Sequence, residues 1–139
     1  MADPATEDCI FCKIVAGELP ATIVDEDERT ISFMDIRPAS RGHALVIPRT
    51  HARDVHDIDP ADLAAVAHTA QRVAAKARDK LGAEGVNLLN SSGAKAWQTV
   101  FHFHMHVIPR YTGDALRLPW VPSAGDTDAI AAAGAQLAG

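Results

Sequence analysis

His102, His104 and His106 stand on alternate positions of the stretch 99–110, interleaved with Phe103 and Met105. Imidazole changes charge near neutral pH, and it can attack an electrophile, donate a proton or ligate a metal. If 101–108 is a strand, successive side chains point to opposite faces. Phe103, Met105 and Val107 then pack on one face, and the three histidines form a row on the other. Separate core histidines would not need such a register. Neighbours in the row are roughly 6.5–7 Å apart along the strand, and the outer pair roughly 13 Å. With zinc–nitrogen bonds of about 2.0–2.1 Å, one ion cannot take all three without severe bending. Adjacent imidazolium ions also repel, so the row is not fully protonated near pH 7. A neutral nucleophile beside a charged donor suits an anionic substrate, and phosphate is the natural candidate. The polar lead-in 90–99 brings Ser, Gln and Thr donors to the same edge.

The elements that must hold this row read as one α+β domain. The chain has 139 residues, 47% hydrophobic and 22% charged, with a formal net charge of −5. That balance speaks against a general nucleic-acid or membrane-surface binder, and no apolar run is long enough for a span. Without a signal-peptide pattern, the chain is expected to be cytoplasmic. Residues 1–7 read as a loose, flexible lead. A short helix should follow, capped by Asp8 and stopped by Gly17. Residues 21–35 read as two strands around a charged turn at 26–28, with Ile23, Ile31 and Phe33 as their apolar contributors. The nearly all-apolar 42–49 reads as a central third strand.

The clearest helix runs over 60–81. Asp59 caps it, Pro60 takes its first position, and Gly82 ends it. Leu63, Val66, Ala70, Val73, Ala77 and Leu81 give it one apolar stripe to lay on a sheet. The stretch 85–92 supplies the fourth strand and the histidine stretch the fifth. The tail 113–139 has at most a weak helix over 126–137. Strands and helices do not alternate regularly, so the sheet is expected to be antiparallel. "VIPR" occurs twice, at 46–49 and 107–110, each three residues after a histidine, His43 and His104. The echo hints at related places in the fold.

His102-Phe103-His104-Met105-His106-Val107-Ile108 resembles the signature of the histidine-triad (HIT) family, His-φ-His-φ-His-φ-φ with φ apolar. "CIFCKIVAGELPATIV", "ISFMDIRPASRGHALVIPRTH" and "QTVFHFHMHVIPR" extend the resemblance to its bacterial branch, which includes purine-nucleoside phosphoramidases. It covers 8–112 as one HIT domain and leaves 113–139 outside. The resemblance implies a five-stranded antiparallel sheet with one long and one short helix, two sheets joining into ten strands in a homodimer. It also implies an enzyme that cleaves AMP or GMP from phosphoramidate-type substrates through a nucleotidyl-histidine intermediate, with a purine nucleotide as its partner. His104 matches the nucleophile. His106 matches the phosphate or leaving-group contact, His102 completes the catalytic triad, and His43 matches a fourth, supporting histidine. Gln98 and Thr99 match positions that hold phosphate oxygens and the departing group, and Asn90 one near ribose and phosphate. Asp35 matches the acid that binds the ribose hydroxyls, while Phe11, Ile14, Phe33 and Ile36 match the base pocket. Taken alone, Asp35 ends an apolar strand where its carboxylate would be exposed, or is an ordinary turn aspartate.

Cys9 and Cys12 could be a redox pair, half a metal site, or two small buried residues. The redox reading wants a βαβ context that is missing. A half-site needs two more ligands, and His51 and His102 are the best candidates for a tetrahedral Cys₂His₂ zinc of structural type. Some bacterial HIT relatives carry such a zinc at matching positions. His56 and His68 are assigned to a loop and to a helix surface. Trp97 stands where the family commonly has Gly, just before Gln98, which points to a reshaped phosphate loop. Two rivals share the fold: a dinucleoside polyphosphate hydrolase, and a non-catalytic nucleotide- or zinc-binding interaction protein.

Overall fold

The computed structural model describes residues 7–139, so all of the expected lead except Glu7 lies outside the described residues. Helix α1 (Ile10–Val15) opens the chain, followed by strands β1 (Ile23–Glu26), β2 (Thr30–Met34) and β3 (Ala44–Pro48). Helix α2 (Pro60–Leu81), β4 (Gly85–Asn90), a 3₁₀ turn (Ala94–Ala96), β5 (Met105–Arg110) and helix α3 (Thr127–Ala138) complete it. The five strands form one antiparallel sheet in the order β1-β2-β3-β5-β4. The two "VIPR" strands are thus central neighbours, with Val46 opposite Met105 and Ala44 opposite Val107. Among the described residues no helix is long and apolar enough to cross a membrane.

Helix α2 begins and ends where its caps dictate. Asp59 accepts the Ala61 N–H, Pro60 fills the first position, and Gly82 closes the helix with φ 71°. Its inner face carries Val66, Thr69, Ala70, Val73 and Ala77. Val66 and Val73 pack with Val46, Phe103 and Val107 in one core cluster. Full burial of each such Val or Phe side chain stabilises the fold by about 1.5–3 kcal/mol. Thr69 departs from an all-apolar stripe; it is fully buried because its hydroxyl meets Thr30 Oγ1 at 2.7 Å and Asp27 Oδ2 at 3.3 Å.

Two expectations need correction. The cap of α1 is Cys9 and not Asp8, because the Cys9 sulfur accepts the Cys12 N–H at 3.3 Å. The last strand starts at Met105 and not at Phe101. Strand β3 ends at Pro48, and 101–104 peel away to other partners: the Phe103 N–H donates to Ala52 O, and His102 donates to Pro48 O. The division of faces still holds. Phe103 and Val107 join the core under α2, while Phe11, Phe33 and Leu45 form a second cluster on the opposite face. Helix α3 is exposed along its length, capped by Asp126 through the Ala129 N–H.

Candidate functional site

Five of the seven histidines fall into two clusters, divided by Phe11. Its ring meets His104 edge-on at 5.3 Å between centroids, and His102 at 5.9 Å. On one side of it, Cys9, Cys12, His51 and His102 bring four donor atoms within 4.8 Å of one another. His102 Nδ1 lies 3.3 Å from Cys9 Sγ, 3.5 Å from Cys12 Sγ and 3.2 Å from His51 Nδ1. Cys12 Sγ is 3.3 Å from His51 Nδ1. A tetrahedral ion with bonds of about 2.3 Å to sulfur and about 2.0–2.1 Å to nitrogen spaces its ligands by about 3.3–3.8 Å. The donor set and its spacing therefore fit such an ion.

The groups behind this cluster support that fit. His102 Nε2–H donates to the Pro48 carbonyl at 2.8 Å, which leaves the Nδ1 lone pair facing the sulfurs. Burial, with the neighbouring His51 and His104, lowers the His102 pKa to about 4 and keeps the ring neutral, as a ligand must be. Burial and the adjacent Cys9 push the Cys12 thiol up to about 12, so paired thiolates here need a cation.

On the other side of Phe11, His104 and His106 lie with ring centroids 5.0 Å apart on a cavity of about 750 Å³. Phe11, Ile14, Phe33, Asp35, Ile36 and Thr99 line the same cavity. The tautomer of each ring follows from the main chain. His104 Nδ1–H donates to the His102 carbonyl at 2.8 Å, leaving a lone pair on Nε2, which has no protein partner among the described residues. His43 Nδ1 accepts the Ala39 N–H at 2.9 Å, so the ring's proton sits on Nε2. That proton points at His106 Nδ1, 2.9 Å away, so neutral His106 carries its own proton on Nε2. Burial lowers the pKa of His104, His43 and His106, the last to about 4 with help from His104 and His43, while the Asp35 charge opposes the shift in each. All three rings are neutral near pH 7. One thus offers a lone pair and its neighbour an N–H donor, which can attack and hold a phosphate.

The remaining residues singled out by sequence have mixed placements. Asp35 is half-buried and not exposed, because Oδ1 accepts the Arg37 N–H at 2.7 Å and Oδ2 faces His43 at 3.5 Å. Ile36 is 94% exposed, at the cavity mouth. Gln98 and Asn90 do not line the cavity. Gln98 is buried with its amide spent on the Gly93 N–H and the Arg53 and Val100 carbonyls, closing the loop 93–98. Asn90 Nδ2 donates to the His104 carbonyl at 3.0 Å, pinning the main chain there. His56 and His68 are exposed, the one in a turn and the other on α2. Trp97 holds φ 76°, the left-handed region that favours glycine, and is 64% exposed. The sequence did not reveal Ala39, Pro48 and the His102 carbonyl, because main-chain groups that orient rings leave no mark in residue type.

Comparison with known proteins gives the family of the chain. A family model described as the HIT domain matches residues 16–113. The chain is 44% identical to "Protein hit" of Bacillus subtilis over 121 residues, covering 86% of this chain and 83% of that protein. It is 39% identical over 102 residues to the adenosine 5'-monophosphoramidase hnt1 of Schizosaccharomyces pombe, covering 73% and 74%. Among solved structures, a zinc-bound histidine triad family protein from Mycobacterium smegmatis superimposes with a TM-score of 0.78 at 43% identity, covering 96% of this chain and 97% of that one.

Proposed function

The chain belongs to the HIT family, and on that premise we propose that it hydrolyses a nucleotide at its α-phosphate. It would release AMP or GMP from an amine or related leaving group. One observation carries the proposal: the His104 lone pair and the His106 N–H sit side by side on a cavity lined by apolar side chains and Asp35. The base would lie against Phe11, Ile14, Phe33 and Ile36, with the sugar hydroxyls at Asp35. Thr99 would hold a phosphate oxygen, while Gln98 and Asn90 support the loop and main chain around it. His104 Nε2 attacks phosphorus and the bond to the amine breaks, its electron pair leaving on nitrogen, which is capped by the Nε2 proton of a His106 that has taken a second proton from solvent in the complex with the anionic substrate. Water then cleaves the nucleotidyl–His104 bond, its hydroxyl going to phosphorus and its proton to His106, which restores both rings for the next turnover. The phosphoramidase named among the relatives supports the choice of substrate class.

Zinc is proposed at Cys9, Cys12, His51 and His102, resting on the tetrahedral spacing and on the zinc-bound relative. Once bound it supplies no acid or nucleophile but a structural tie between α1, the end of β3 and the lead-in to β5. A homodimer is proposed through β4, an edge strand that exposes Val86, Leu88 and Leu89. A solution mass of twice 14.8 kDa checks it, and a monomer would contradict it.

Intact-mass spectrometry after brief incubation with an adenosine phosphoramidate tests the central step. The expected result is one nucleotidyl group per chain on His104, absent from His104→Ala. Turnover without an adduct, or an adduct on another residue, would overturn the assignment.

A further inference from the structure

Asp35 meets the catalytic rings as well as the cavity. Its Oδ1 is engaged by the Arg37 N–H, and its Oδ2 lies 3.5 Å from His43 Nε2 and 3.9 Å from His106 Nδ1. Those two nitrogens are 2.9 Å apart, with room for one proton between them. Expelling an amine from phosphorus consumes a proton, so the pair, neutral in the free protein, must take a second one from solvent as the anionic substrate binds and carry it when the P–N bond breaks. Two N–H groups cannot then face each other, and each needs an acceptor. His43 Nδ1 is held by Ala39, and His104, on the far side of His106, has given its Nδ1 proton to a carbonyl and needs Nε2 for attack. Asp35 Oδ2 is the oxygen that both ring protons can reach.

We propose that Asp35, through Oδ2, is a positioning residue for the leaving-group proton, in addition to holding sugar hydroxyls. This rests on the nucleotide-hydrolase reading above. In the charged state His43 Nε2–H and His106 Nδ1–H both turn to Asp35 Oδ2. As the His104 lone pair forms its bond to phosphorus, the P–N electron pair leaves with the amine nitrogen. That nitrogen takes the proton from His106 Nε2. His106 passes from imidazolium to neutral imidazole and keeps its Nδ1 proton against the carboxylate. Sugar binding and proton placement therefore meet in one side chain.

The test compares Asp35→Asn with the unmodified protein on two adenylates. One carries an alkylamine, which must be protonated to leave; the other carries 4-nitrophenol, which leaves without a proton. The kcat for the alkylamine substrate should fall on the order of 10²-fold, and that for the nitrophenyl ester by less than about threefold. Any loss of sugar contact raises KM for both alike. An equal fall in kcat for both substrates, or a change in KM alone, would overturn the proposal. If the Asn variant does not fold, Asp35→Glu displaces the same oxygen and must show the same split. The two readings fail differently. Loss of the hydrolase reading shows as no adduct on His104 with either substrate, whereas loss of this one leaves the adduct and abolishes the split.

Discussion

The cluster Cys9–Cys12–His51–His102 and the cluster Asp35–His43–His106 both place their donor atoms within 4.8 Å of one another. By residue type each could hold a metal, yet the main chain behind the rings separates them. A carbonyl, Pro48 O, takes the outer proton of His102 and turns a lone pair inward. An N–H, from Ala39, takes the outer lone pair of His43 and turns a proton inward. Ligation through His43 Nε2 would have to break that hydrogen bond, whereas ligation through His102 Nδ1 leaves the bond to Pro48 in place. The main chain therefore suits the first cluster to the proposed cation and the second to the proposed proton transfer. The identity of one backbone atom behind each ring decides the difference.

The largest effect that could break this contrast comes from Cys9→Ser. Structural zinc in small cysteine–histidine sites is worth about 10–16 kcal/mol of apparent binding energy, so losing one thiolate should empty the site. Metal analysis should fall from one equivalent per chain to none, with a large drop in Tm. Retention of a full equivalent would mean that the metal is held elsewhere. His43→Ala should give the reverse pattern. Metal content stays at one equivalent, while kcat on an alkylamine phosphoramidate falls on the order of 10²-fold. Loss of metal in that variant would erase the distinction.

Acid gives the smallest and most gradual change. His102 and His106 are held at about 4 in the folded chain against an ordinary 6.5. Between those values the unfolded chain binds the extra protons, so acid favours unfolding. The metal-free protein should have a flat Tm between about pH 6.5 and 8 and a falling one from pH 6.5 toward pH 4. A Tm that rose over that range would contradict the burial of both rings. Zinc should raise Tm at neutral pH and lose this advantage in the same window, as protons displace it from His102.

Much of this architecture was legible because it is carried by residue type and spacing. Asp59, Pro60 and Gly82 delimit α2 through local hydrogen bonds that residue type specifies. The alternation from Phe103 to Val107 divides the core face from the histidine face, since side-chain direction follows the local backbone. What was not legible depends on partners distant in sequence. The start of β5 slipped by four residues because Ala52 and Pro48 capture 102 and 103. Gln98 matches a phosphate position by sequence, yet its amide is spent on three main-chain groups. Trp97 shows the opposite case, in which the left-handed φ is the one that favours the glycine expected there from the family resemblance. The pairing of Cys9 and Cys12 with His51 and His102 was a choice among alternatives in sequence, and distances give it its shape.

The contrast between the clusters is tested most directly by loading the metal-free protein with cobalt(II) and reading its spectrum and stoichiometry. One cobalt per chain is predicted, with thiolate-to-metal charge transfer and tetrahedral d–d bands, unchanged in His43→Ala and absent in Cys9→Ser. A second equivalent, or a cobalt spectrum that vanishes with His43 and survives the loss of Cys9, would contradict the account.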